Sequence, residues 1–275
     1  MANPILSDQV FEKATAAASG ADAALPPPAP GTQAAPMSDG PISPYRSYQP
    51  MTLDGTIAAT GILFVLLLAA AVWGWNQVDV TDGEVTGFPT WSLIAVLVGF
   101  GCVLFASFKP TRAKFLAPIY AVAQGVFVGA ISAAYNAQWD GIVVQAVGAT
   151  LGVFLVMLFL YRARIVKVTD KFRSVVIGAT AGLAVFYLVA IVLSLFGMNI
   201  SFLSASDNSL LGIGFSVLAA GLASLNLLLD FDLIERGVRG AAPKYMEWFA
   251  ALGLVVTLVW LYLELLRLLG RLRGN

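Results

Sequence analysis

Of 275 residues, 59% are hydrophobic and only 12% are charged, against roughly 45–50% and about 25% in an ordinary soluble domain, an excess that no soluble core absorbs. The formal net charge is zero, which excludes a global basic field for nucleic acid and an acidic field for a polycation. With no histidine and one cysteine, Cys102, the chain has no Ser-His-Asp or Cys-His pair, no His-ligated zinc and no intramolecular disulfide, so neither enzyme chemistry nor a cofactor is expected.

Residues 1–50 are rich in Ala, Pro, Ser and Gly and include Pro26-Pro27-Pro28, the composition of a disordered tail. They lack the basic and apolar regions of a cleaved signal peptide, so the first apolar run serves as the insertion signal. Seven apolar runs follow, at 57–75, 91–108, 115–135, 141–161, 175–197, 209–230 and 247–269. Each is close to the ~20 residues that cross ~30 Å of hydrocarbon. None alternates as a barrel strand does, which predicts an all-α, seven-span helical bundle. Gly101, Gly125, Gly129, Gly148, Gly152, Gly178 and Gly182 are expected to let helix backbones approach one another.

Basic residues set the orientation. Lys13 and Arg46 lie in the tail, Lys109, Arg112 and Lys114 after the second run, and Arg162, Arg164, Lys167, Lys171 and Arg173 after the fourth. Arg236, Arg239 and Lys244 follow the sixth, whereas the joints 76–90, 136–140 and 198–208 contain no lysine or arginine. The positive-inside rule then predicts a cytoplasmic N-terminus. Arg267, Arg271 and Arg273 contradict that pattern if the last run crosses fully; its length favours crossing over re-entry.

Ionisable groups within membrane spans are expensive and mark function by default. Asp230 and Asp232 close the sixth run, Glu264 lies inside the seventh, and Lys109 ends the second. Even-numbered spans finish on one face, so Lys109 and Asp230 share a depth and can pair; alternatively both are interfacial charges that snorkel to water. At a helix C-terminus the dipole disfavours Asp230, and a neighbouring cation would offset this. Glu264 is either half of an i,i+3 bridge to Arg267 or a carboxylate facing the bundle, with Thr257 two turns away on nearly the same face. Gln124 is the other polar group near mid-membrane, placed to bond a neighbouring helix or line a path.

The stretches Leu227-Leu228-Leu229-Asp230-Phe231-Asp232-Leu233-Ile234 and Leu263-Glu264-Leu265-Leu266-Arg267-Leu268-Leu269-Gly270, with the Gln124-Gly125 step within Pro118 to Ser132, resemble the Bax inhibitor-1 family of seven-span membrane proteins. The likeness covers residues 55–270 in span count and spacing. It implies a pH-sensitive calcium leak in the bacterial plasma membrane, with one aspartate ending span six, a second within span seven and an arginine gate ending span two. By position the first aspartate falls on Asp230 and the gate on Lys109, which keeps the charge without the bidentate fork. In the register needing the shorter insertion, the second aspartate falls on Thr257. The register on Leu261-Tyr262-Leu263-Glu264 keeps an acid at Glu264 but lengthens its separation from Asp230. With Thr257 in place, the paired-acid response to pH is expected to be flattened.

Two functions follow as expectations. One is a passive pathway for Ca²⁺ or H⁺ in which Asp230 is a weak, transient calcium ligand; Asp232 and Glu235 supply further carboxylates but share no common face with it. The other is a non-catalytic regulator of stress survival or of a membrane protease, acting through contacts with a membrane protein, with the tail and basic joints meeting partners or anionic lipid. An intramembrane hydrolase is disfavoured because the serines have no histidine or buried lysine as base.

Overall fold

The computed structural model describes residues 13, 15–16, 49–81, 84–89, 91–197 and 209–274. Most of the proposed tail and the joint 198–208 lie outside them. Seven long helices follow in order among the described residues: α1 (Leu53–Trp75), α2 (Ser92–Phe108), α3 (Ala113–Gln138), α4 (Ile142–Arg162), α5 (Asp170–Leu195), α6 (Leu210–Arg239) and α7 (Met246–Arg273). A short antiparallel hairpin, β1 (Asp79–Thr81) with β2 (Glu84–Gly87), sits between α1 and α2. The architecture is an all-α polytopic bundle. Six of the helices are long and apolar enough to cross a membrane. The exception is α2, whose 17 residues extend about 25 Å, short of the ~30 Å hydrocarbon slab.

Side-chain caps start three of these helices. Thr52, Thr169 and Ser209 each accept a hydrogen bond from a backbone N–H in the first turn of α1, α5 and α6, the usual role of a hydroxyl at that position. The Thr169 cap begins α5 at Asp170 rather than at 175, bringing the polar turn with Arg173 into the helix. At the other end of the apolar stretch, α6 does not stop at 230. It runs to Arg239, held by pairs four apart between Asp232 and Arg236 and between Glu235 and Arg239, which stabilise helical turns beyond the lipid. Asp230 therefore stands inside a helix, and the dipole argument placing it at a C-terminus does not apply.

The centre of the bundle is α7, where Phe249, Leu252, Val255 and Leu261 are fully buried. It runs parallel to α3: Ser132 and Tyr262 share a hydrogen bond of 2.6 Å, and further along Arg273 donates to the Asp140 carbonyl at 2.7 Å. The opposite end of α7 meets the start of α1, because Glu247 accepts from the Thr52 N–H at 2.9 Å and the Thr52 hydroxyl at 2.8 Å. The segment before α1 docks beside it, with Met51 N–H donating to the Ala242 carbonyl at 2.6 Å. Thus α7 passes from the face of the basic joints to the face of the 136–140 joint. Its terminal arginines do not oppose this, since Arg267 and Arg271 turn into the bundle and Arg273 is held by a carbonyl.

Helix α1 also runs parallel to α3, and the two touch backbone to backbone. A Cβ on Gly125 would strike the Leu67 carbonyl and the Ala70 methyl; one on Gly129 would strike the Ala71 carbonyl. Because α1 and α3 point the same way, α2 must carry the chain back between them. The other glycines behave differently from the packing expected of them: Gly101, Gly148, Gly152, Gly178 and Gly182 face open space.

Substituting Gly129→Leu is expected to lower thermal stability in detergent by roughly 1–3 kcal/mol, the usual cost of overpacking, while Gly148→Leu leaves the melting temperature unchanged. Equal losses in both variants would contradict this division of roles.

Candidate functional site

Polar side chains in an apolar bundle have to find partners on neighbouring helices, and here they line up along one seam. Starting at the basic-joint face, Asp232 of α6 accepts from Arg173 of α5 at 2.8 Å and from Arg236 of its own helix at 3.0 Å. Arg173 also lies 3.8 Å from Asp170. Two residues deeper on α6, Asp230 is 1% exposed. Its neighbour Phe231 packs on α4 against Phe154 and Tyr161, with ring centroids 5.6 and 5.9 Å away. One turn before Asp230, the Asn226 amide donates to the Thr180 hydroxyl of α5 and to the Leu222 carbonyl, both at 2.8 Å.

Further along, α7 supplies the polar groups. Glu264, 3% exposed, accepts from the Tyr187 hydroxyl of α5 at 2.8 Å, from Trp260 Nε1 at 3.3 Å and from Arg267 at 3.3 Å. Arg267 also donates to the Tyr187 hydroxyl at 3.0 Å and sits 5.8 Å from that ring's centroid. The i,i+3 bridge and the inward-facing carboxylate, framed as alternatives, are thus one arrangement. Near the far face, fully buried Arg271 donates to the Gly212 carbonyl and to the Ser216 hydroxyl, the latter at 2.9 Å.

These groups form a column along α5, α6 and α7. From Ser216 to Asp232 on α6 the rise is about 24 Å, most of the hydrocarbon thickness. The column is interrupted once, over the seven residues of α5 between Thr180 and Tyr187, about 10 Å. Leu183, Leu222 and Trp260 pack into one apolar cluster there. It is a polar seam closed by an apolar plug.

Not every expected residue lies on it. Asp230, Asp232 and Glu264 do. Thr257, on the Glu264 face two turns nearer the basic joints, donates to the Gly253 carbonyl of its own helix at 3.2 Å. Gln124 lies off the seam, on α3, where its side-chain oxygen leaves no room for a Cβ on Gly99 of α2. The pairing of Lys109 with Asp230 is not formed. Lys109 is exposed, its ammonium 5.9 Å from the Phe105 ring centroid, and it takes part in no ion pair among the described residues. Equal depth did not bring them together because α2 packs on α3, whereas α6 packs on α4, α5 and α7. The cation beside the acidic end of α6 is Arg173. It went unremarked because α5 was expected to begin after it. Tyr187 and Thr180 carry no sequence mark of their own, while Asn226, four residues before Asp230, stood on the same helical face and was legible. The three carboxylates of α6 do not converge either: Glu235 accepts from Tyr161 and Arg239, and no group of three or more metal-ligating side chains assembles among the described residues.

Removing Arg267 leaves Glu264 buried without its counter-charge. Arg267→Ala is expected to destabilise by about 3 kcal/mol, the lower end for a broken buried pair, because the arginine side chain is 30% exposed. The double variant Glu264→Gln, Arg267→Ala should recover part of that loss, as read by thermal unfolding in a double-mutant cycle. Identical melting of the single and double variants would remove the pair from the stability account.

Comparison with known proteins follows the same lines as this geometry. No curated protein matches the chain. A family model described as Bax inhibitor 1 like matches residues 3–274, nearly the full length of the sequence, and the chain therefore belongs to the Bax inhibitor 1-like family of integral membrane proteins.

Proposed function

We propose that this protein is a passive cation pathway, with Ca²⁺ as the favoured ion, and that ions move along the polar seam of α5, α6 and α7 when its apolar plug parts. The observation that supports this reading most is the seam itself: buried polar side chains recur from one face of the bundle to the other where packing alone calls for apolar ones. Asp230 is the residue at which an entering cation exchanges water for a carboxylate oxygen. The Asn226 amide oxygen and the Thr180 hydroxyl lie one turn deeper and offer the next ligands. A dedicated calcium cage needs six to eight oxygens. A conducting site works by holding the ion weakly enough to release it, and sparse, unconverged oxygens suit that second task.

The gate assignment moves from Lys109 to the cluster of Arg173, Asp232 and Arg236. With basic joints on the cytoplasmic side, this cluster stands at the inner mouth beside Asp230, and the Glu264–Arg267–Tyr187 group stands beyond the plug toward the outer face. Thr257 faces the seam near the level of Asn226, where a second acid would complete a coupled pair, so the flux depends weakly on pH. The competing reading is a non-catalytic regulator acting through another membrane protein, such as a protease. In its favour, Gly148 and Gly152 on α4 and Gly178 and Gly182 on α5 face open space at helix-docking spacing.

Calcium flux into liposomes carrying an entrapped indicator tests the pathway. Wild-type protein is expected to conduct, Asp230→Asn to lower flux several-fold, Arg173→Ala to raise the resting leak, and Lys109→Ala to change neither. Thr257→Asp should add a pH-dependent component, since coupled acids titrate as a pair. Absence of wild-type flux across a range of pH, or an unaltered rate in Asp230→Asn, would refute the pathway and leave the contact regulator.

A further inference from the structure

A second feature lies off the seam, at the basic-joint face between α4, the loop that follows it, and the extended end of α6. After Arg162 the chain turns sharply. Arg164 adopts a left-handed backbone with φ 54°, a conformation uncommon for a residue with a side chain. The turn and the α6 extension wall a cavity of about 600 Å³ lined by Tyr161, Arg162, Arg164, Lys167, Glu235 and Arg239, with two valines. Four cations face one carboxylate. Glu235 is engaged by the Tyr161 hydroxyl and Arg239, while Arg162, Arg164 and Lys167 take part in no ion pair among the described residues. In a chain of zero net charge, this is a local excess of positive charge with room inside it.

We propose that this cavity binds the phosphate of an anionic glycerophospholipid. Guanidinium groups match phosphate oxygens as bidentate donors, and a lysine adds a point charge. Inorganic phosphate or a soluble phosphate ester shares that chemistry, but the surroundings favour a lipid. The cavity sits where α4 leaves its apolar span, and the adjoining surface is apolar and outward: Leu155 is 60% exposed, Phe159 65% and Ile165 62%. Ile165 stands in the basic turn itself, next to Arg164. A ligand with a charged head and hydrocarbon tails satisfies both parts at once, and basic pockets at helix ends facing the cytoplasmic leaflet are where such headgroups collect. The site needs no conduction through the seam.

Native mass spectrometry and thermal unfolding of the full-length protein in neutral detergent, with phosphatidylglycerol or phosphatidylcholine added, test the assignment. Phosphatidylglycerol is expected to remain bound and to raise the melting temperature, and phosphatidylcholine to do neither. The triple variant Arg162→Gln, Arg164→Gln, Lys167→Gln should weaken phosphatidylglycerol binding about tenfold or more while melting like wild type without lipid. The pair Arg112→Gln, Lys114→Gln in another basic joint should retain full binding. Equal binding by the triple variant, equal binding of phosphatidylcholine, or a stabilisation that inorganic phosphate alone reproduces would each overturn the proposal. Should the triple variant misfold, Arg164→Gln and Lys167→Gln singly carry the same test, with an unchanged affinity in both counting against the site.

Discussion

A carboxylate inside hydrocarbon has no water to turn to, and the arrangement around Glu264 shows what the protein does about it. Three donors from two helices converge on that side chain, and the cost of leaving it unsatisfied ties α5 to α7 where apolar contact between them is thin. The same constraint operates at each step of the seam: Asn226 reaches Thr180, Asp232 reaches Arg173, and Arg271 reaches the first turns of α6. Lipid tails offer helices no hydrophobic reason to associate. On this side of the bundle, polar satisfaction does much of the work of association. On the other side, α1 and α3 associate by backbone contact across Gly125 and Gly129.

That division gives the two sides different mechanical characters. Close backbone packing at α1, α3 and α7 is insensitive to protonation and ions. The α5 side rests on a few directional bonds to α6 and α7, and α5 is among the least buried of the spanning helices. A pathway that must open is better sited along joints that break one hydrogen bond at a time than through a close-packed core.

Much of the architecture could be read from hydropathy, because ~20 apolar residues between polar joints leave a chain few alternatives in a bilayer. Element ends were less legible. Asp230 and Asp232 look like the point where the sixth helix meets water, yet pairs four residues apart carry it to Arg239. Positions along a helix were also readable: Thr257 and Glu264 share a stripe by simple periodicity. Which helix a stripe faces was not. Lys109 and Asp230 end even-numbered runs and so share a membrane face, but lateral order decides adjacency, and a single sequence carries no record of it. The same gap hid Tyr187, whose hydroxyl is unremarkable until Glu264 is set against it.

The bond between Thr52 and Glu247 joins residues 195 apart in the chain. At ~5–20 residues per second of synthesis, roughly 10 to 40 seconds separate the appearance of the two. Until the last helix arrives, the first must wait in the bilayer without the partner that anchors its beginning. Assembly is therefore closed by its final step, and a chain that stops short of α7 lacks the central helix on which its earlier members pack.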